Sequence, residues 1–413
     1  MSIFDDPDDD ADLPEEPLRF DPDRDPDVAP DVVTILDSAD AINARDPGRL
    51  LWALATAGAQ VRRAVADADR WQVVPFGLGF TPRSALVVTD TTASVAAAVL
   101  AELGADRTAI IDWRGVSLPR WAGPADVLLA ASIDGRHPRV AVLVAEAQRR
   151  GMTVVVATPP DTPVAAAAGR ETIVAIEAPV SRRAALWTLL TPLVQAGAGL
   201  GFVDLTGDQL LAVADALDEV AETSRPASDA FTNAAKQLAI QVIETEAMIV
   251  GVGPFSTHAA VCMANSLALL AGITAVPLSL PDDVTRAGAL LDIPLGVDAG
   301  DQTADLFRDR VDDTARRRRL VFVTDSGPSD RHDPNRPPTS AADELARAAQ
   351  LAAIALEHIA SARRILTSTL DLPGESLLGR FAAATAFGDF TAAYAAIGRG
   401  IDPTAARAGE LPH

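Results

Sequence analysis

Twice along its 413 residues this chain alternates short apolar runs with stretches of helical periodicity, and that alternation restricts its fold more than any other feature. In the first half the runs at 85–89, 108–112, 126–131, 153–157 and 172–176 are rich in Val, Ile, Leu and Ala. Runs this short, apolar on both alternating faces and bounded by turn residues, suit strands buried on both sides. Helical stretches at 94–103 and 138–150 separate them; Gly151 ends the second, which carries two arginines in its last turn, where the helix dipole favours cations. Ser181 is placed to cap a helix running from Arg182 towards Val194. Strand and helix in alternation with short turns build right-handed βαβ units on one parallel sheet.

The pattern restarts after a polar helix and the break at 223–226. Helices are expected at 233–243, 256–270, 341–360 and 375–398, and strands at 247–250, 273–278, 320–324 and 364–369. A polar, proline-rich loop is expected at 325–338, and the arginines at 316–319 are expected to end a helix as a solvated face. Lead-in helices fill 31–71. The fold class is therefore α/β, two three-layer αβα domains with mostly parallel sheets and C-terminal helices. The expected boundaries are an acidic tail at 1–30, a first domain at 31–205, a connecting segment at 206–232 and a second domain at 233–413.

Charge narrows the function. Lys+Arg is 35 against Asp+Glu 57, a formal net charge of -22, which repels a phosphate backbone and argues against nucleic-acid binding. Residues 1–30 hold 12 acidic residues and 2 arginines, too charged to bury a core; a disordered tail that docks a partner or only solubilises the chain is expected. The single cysteine, Cys262, excludes an internal disulfide and a thiolate metal cluster, and reads as a small core residue. The histidines are dispersed, so no metal site is expected, and no cofactor. There is no basic-then-apolar leader, and the apolar run at 196–203 is too short to span a bilayer, so a cytoplasmic location without membrane contact is expected.

The C-terminal segments Ser376-Leu-Leu-Gly-Arg-Phe, Phe387-Gly-Asp-Phe-Thr-Ala-Ala-Tyr394 and Gly400-Ile-Asp-Pro-Thr404 together resemble the signature of the bifunctional phosphoglucose/phosphomannose isomerases. Further upstream, Ser181-Arg-Arg-Ala-Ala-Leu-Trp187, Asn233-Ala-Ala-Lys-Gln-Leu-Ala239 and Val250-Gly-Val-Gly253 are similar to other stretches of that family. The resemblance implies two sugar-isomerase (SIS) domains, a homodimer and a phosphosugar ligand. Ser132 and Gly135 match the family's phosphate turn and Gly253 its later glycine turn, while the family's earlier glycine-rich turn is here Asp90-Thr-Thr-Ala-Ser94, without glycine; Thr91, Thr92, Ser94, Ser132 and Arg136 are the candidate ligand contacts of an altered cradle. Hydroxyls and a glycine beside a helix start suit an anion, although the same residue types are ordinary turn and cap residues. Asp134 stands where the family's second phosphate-binding serine belongs.

The resemblance also implies a glutamate base, a ring-opening histidine and a C-terminal lysine. The matching stretches, Met263-Ala-Asn-Ser-Leu-Ala268 and Leu280-Pro-Asp-Asp-Val-Thr-Arg286, hold neither base nor histidine, and the only lysine of the chain is Lys236. Moving a proton between C1 and C2 of a sugar needs a positioned base. His258, Asp282 and Asp283 are the candidate replacements, each with a structural alternative as a helix-start or cap residue. A carbohydrate-derivative binder without isomerase activity, in a regulatory or scaffolding role, is expected; an active isomerase with relocated residues is the alternative.

Overall fold

The computed structural model describes residues 32–68, 81–169, 173–176, 181–292, 317–325, 340–370 and 372–405. The expected acidic tail and most of the proline-rich loop lie outside them. Four short helices lead in: α1 (Val32–Asp37), α2 (Ala39–Arg45), α3 (Leu50–Leu54) and α4 (Ala57–Asp67). The first domain runs β1 (Ser84–Thr89), α5 (Ala96–Gly104), β2 (Ala109–Asp112), β3 (Asp126–Ala131), α6 (Pro138–Arg149), β4 (Thr153–Thr158), α7 (Pro163–Ala168), β5 (Ile173–Ala175) and α8 (Leu186–Gly199). Helix α9 (Gly207–Thr223) leads to the second domain. That domain runs α10 (Ala234–Ile243), β6 (Thr245–Val252), α11 (Pro254–Ala271), β7 (Ala275–Leu280), α12 (Val284–Asp292), β8 (Arg317–Thr324), α13 (Ala341–Ala362), β9 (Leu366–Thr369) and α14 (Leu377–Gly398).

The strand order is β2-β1-β3-β4-β5 in one sheet and β7-β6-β8-β9 in the other, with every paired strand parallel. The two sheets share one order, the first with an extra edge strand. Because side chains alternate across a strand, each sheet feeds two cores. Leu86, Val88, Leu128 and Val156 pack outward under α6 and α7, and Met248, Val250, Leu320 and Phe322 pack under α12 and α13. The opposite faces, with Val87, Leu129, Ile249 and Val321, join a single continuous core shared by both domains.

That shared core is organised by α14. Every residue from Phe381 to Gly398 is buried except Asp389, so the helix has no solvent face and is apolar nearly all round. Phe381 meets Trp187 of α8 and Phe255 of α11 edge-on, at ring-centroid distances of 6.3 and 6.1 Å, and so links both domains. Gly388 lets α11 approach closely, since a Cβ there would lie 3.0 Å from the Met263 side chain.

Two local expectations change. Ser181 caps only the single turn Arg182–Ala184, and α8 starts at Leu186. Arg317, Arg318 and Arg319 lie within β8 instead of ending a helix; Arg319 is buried and donates to the Ser368 hydroxyl at 2.8 Å. A neighbouring strand supplies the acceptor there, which the arginine run alone does not reveal.

Lys236 closes the fold. Its buried ammonium donates to the carbonyls of Leu36, Pro226 and Ser228 at 2.6, 2.8 and 2.6 Å and lies 5.5 Å from the Tyr394 ring centroid. Burial lowers its pKa, opposed by Asp37 and Asp229. It pins α1 and the segment before α10 to the second domain. Lys236→Met leaves three carbonyls without their donor, and at roughly 1–3 kcal/mol for each buried group left unsatisfied a loss of about 3 kcal/mol or more is expected in chemical denaturation. Unchanged stability would mean that water replaces the ammonium.

Candidate functional site

In a sheet ordered β2-β1-β3, connections leave β1 and β3 in opposite directions and open a crevice beyond their carboxyl ends, the usual ligand position in such folds. Here the crevice of the first domain contains the chain's own carboxylate. Buried Asp90 accepts the Thr92 N–H at 3.0 Å and, through its other oxygen, the Ile133 N–H at 2.7 Å. It thereby ties the end of β1 to the end of β3. Asp134 lies beside it, accepting the Arg136 N–H at 2.9 Å and pairing with Arg182 at 3.2 Å.

The second domain repeats the arrangement between β6 and β8. Asp325 follows β8 and accepts the Phe255 and Ser256 N–H groups at 3.0 and 2.6 Å, the first donors of α11. Burial raises its pKa, and these hydrogen bonds draw it back down. Gly253 serves this contact: its φ is +124°, and a Cβ would lie 2.5 Å from the Asp325 carboxylate.

Between the domains lies a cleft of about 600 Å³. Thr91, Thr92 and Ser94 form one wall with Arg182 and Arg183, and Cys262, Asn265 and Ser266 of α11 face them with Thr385 and Asp389 of α14. Arg183 donates to the carbonyls of Pro403 and, at 2.9 Å, Ala405, which holds Thr404 in the cleft wall.

Asp389 is the acidic group of α14, partly open to the cleft and otherwise enclosed by helix atoms. The Ser266 hydroxyl donates to it at 2.5 Å. Burial pushes its carboxyl up to about 7, against the opposing pull of that hydrogen bond. The Cys262 thiol is pushed up to about 12, first by burial and then by Asp389, so it stays protonated near neutrality. Cys262 thus lines the cleft while being largely enclosed.

The expected ligand residues separate into groups. Thr91, Thr92 and Ser94 line the cleft. Ser132 is buried behind it, its hydroxyl 3.4 Å from Asp134. Gly135, at φ +65°, passes close to the Thr162 side chain, and Arg136 points to solvent. The candidate catalytic residues are not assembled. His258 meets Glu102 of α5 at 3.2 Å. Asp283 accepts the Ser279 N–H at 2.9 Å and faces Arg286 at 3.5 Å, while Asp282 is exposed. Asp389, Asn265 and Ser266 carried no role in the sequence reading; a lone carboxylate inside an otherwise apolar helix was the available signal. Among the described residues no group of three His, Cys, Asp or Glu side chains is placed to hold a metal, and no helix is long and apolar enough to cross a membrane.

Residues 231–408 match the family model of the bacterial phospho-glucose isomerase C-terminal SIS domain. The second domain belongs to this family. The chain is similar in fold to the tagatose-6-phosphate ketose/aldose isomerase of Escherichia coli, with a TM-score of 0.59 and 12% identity, over 86% of this chain and 95% of that one. It is also similar to a glucose-6-phosphate isomerase like protein from Thermus thermophilus, with a TM-score of 0.51 and 16% identity, over 89% and 94% of the two chains. At these identities the likeness is one of fold. No curated protein matches the chain in sequence. Within the matched residues, α11 and α14 carry the cleft's Asn265, Ser266 and Asp389.

The raised pKa of Asp389 has a measurable consequence. The folded chain keeps a proton that the unfolded chain releases, so this stabilisation is complete below about 4 and is lost as pH rises through about 7. Melting temperatures of wild type and Asp389→Asn should therefore diverge across that window, the wild type losing more stability as pH rises. Parallel curves would mean an ordinary, ionised carboxylate.

Proposed function

We propose that this protein binds a phosphosugar or a similar carbohydrate derivative in its interdomain cleft, and that it acts in hexose or mannose metabolism as a regulator or scaffold without isomerase turnover. A cytoplasmic location, the homodimer implied by the family resemblance and partner docking by the acidic tail belong to the same reading. The observation that carries it is the cleft itself: hydroxyls of Thr91, Thr92 and Ser94 from one domain face Asn265, Ser266 and Asp389 from the other. Alternating donors and acceptors of this kind suit a polyol. Aldose-ketose isomerisation needs a base at the carbon proton and a second group to open the ring. The cleft offers Asp389 beside an alcohol, while His258 and Asp283 are engaged with Glu102 and with Ser279 and Arg286.

One observation favours the alternative, an active isomerase with relocated residues. Asp389 lines the cleft, where burial pushes its carboxyl up to about 7, the range suited to a general base. A coupled assay on fructose 6-phosphate, following glucose 6-phosphate and mannose 6-phosphate separately, divides the two. The expected result is no turnover from folded protein. Turnover reduced at least about a hundredfold by Asp389→Asn, the usual scale for a lost general base, would establish the alternative.

A further inference from the structure

The geometry points to an unphosphorylated carbohydrate as the ligand of the cleft, with Asp90 and Asp134 standing in permanently for the anion at its first-domain end. This rests on the cleft reading above and chooses between the two ligand kinds it allows.

Backbone N–H groups at the carboxyl ends of parallel strands and at helix starts are the natural partners of a phosphate. In the first-domain crevice the N–H groups of Thr92 and Ile133 already donate to Asp90, and that of Arg136 to Asp134. The crevice of the second domain is filled in the same way by Asp325, through Phe255 and Ser256. Two crevices of one topology, each holding a carboxylate from a different strand end, make this a repeated solution. Asp90 comes from the end of β1, Asp325 from the end of β8.

The arginines of the cleft do not restore an anion site. Arg182 is paired with Asp134, and Arg183 donates to the carbonyls of Pro403 and Ala405. A phosphate dianion entering beside Thr91 would meet like charge on Asp90 and Asp134, and would have to displace hydrogen bonds already made. A sugar hydroxyl meets neither obstacle. It can donate to the oxygens of Asn265, Ser266 and Asp389, and accept from the Thr91 and Ser94 hydroxyls.

The test is isothermal titration of the full chain with glucose, mannose and fructose, each compared with its 6-phosphate, and with inorganic phosphate as a control. At least one free hexose should bind, and its 6-phosphate should bind no tighter than within about threefold, since a productive phosphate contact is worth tenfold or more at about 1.4 kcal/mol per decade. Asp134→Ser should then shift the preference towards the 6-phosphate, because it removes one charge and releases Arg182; Asp90→Asn gives the same direction where that variant folds. A 6-phosphate binding more than about tenfold tighter than its hexose in the wild type overturns the inference while leaving the cleft reading intact. Binding of neither kind overturns both.

Discussion

A helix with no face to solvent has to be apolar on every side, and α14 meets that requirement over nearly its whole length. The rest of the molecule is arranged around it. The lead-in helices α1 and α3, the bridging helix α9 and the second-domain helices α10 and α11 all pack on it. Its Phe381 reaches Trp187 of the first domain, and its Tyr394 hydroxyl donates to the Ser224 carbonyl at 2.6 Å. Lys236 lies over the same tyrosine ring, so the buried ammonium and the buried helix hold the N-terminal segment together.

That burial also sets the chemistry of the cleft. A carboxyl group is tolerated in such a helix only where it has a partner and an opening, and Asp389 has both in Ser266 and the cleft. Enclosure favours its neutral form and raises the thiol of Cys262 as well. Asp389 is therefore less readily ionised than a carboxyl at the surface.

At the two sheet crevices the carboxylates meet backbone donors. Asp90, Asp134 and Asp325 are each held in place by backbone N–H groups at strand ends and helix starts. Gly253 belongs to this arrangement, because any side chain there would collide with Asp325. A glycine expected to admit a ligand instead admits a residue of the same chain.

The alternation of apolar runs and helical periods was enough to place both parallel sheets: the run at 126–131 is β3, and Asn233 caps α10 by accepting the Lys236 N–H at 3.1 Å. Such features are decided locally, by side-chain period and by cap chemistry, and can be read from neighbouring residues. The arginines of β8 and the role of Asp389 could not be, because their partners, Ser368 and Ser266, lie 49 and 123 residues away. The same holds for the candidates His258, Asp282 and Asp283: residue type made them plausible, but packing gave His258 to Glu102 and Asp283 to a turn. By itself the sequence determined the strands, the helices and the family of the second domain. Only the tertiary structure decided which carboxylate faces the cleft and which fill the crevices, since a carboxylate's function follows from the donors and the water around it, and these are set by distant parts of the chain.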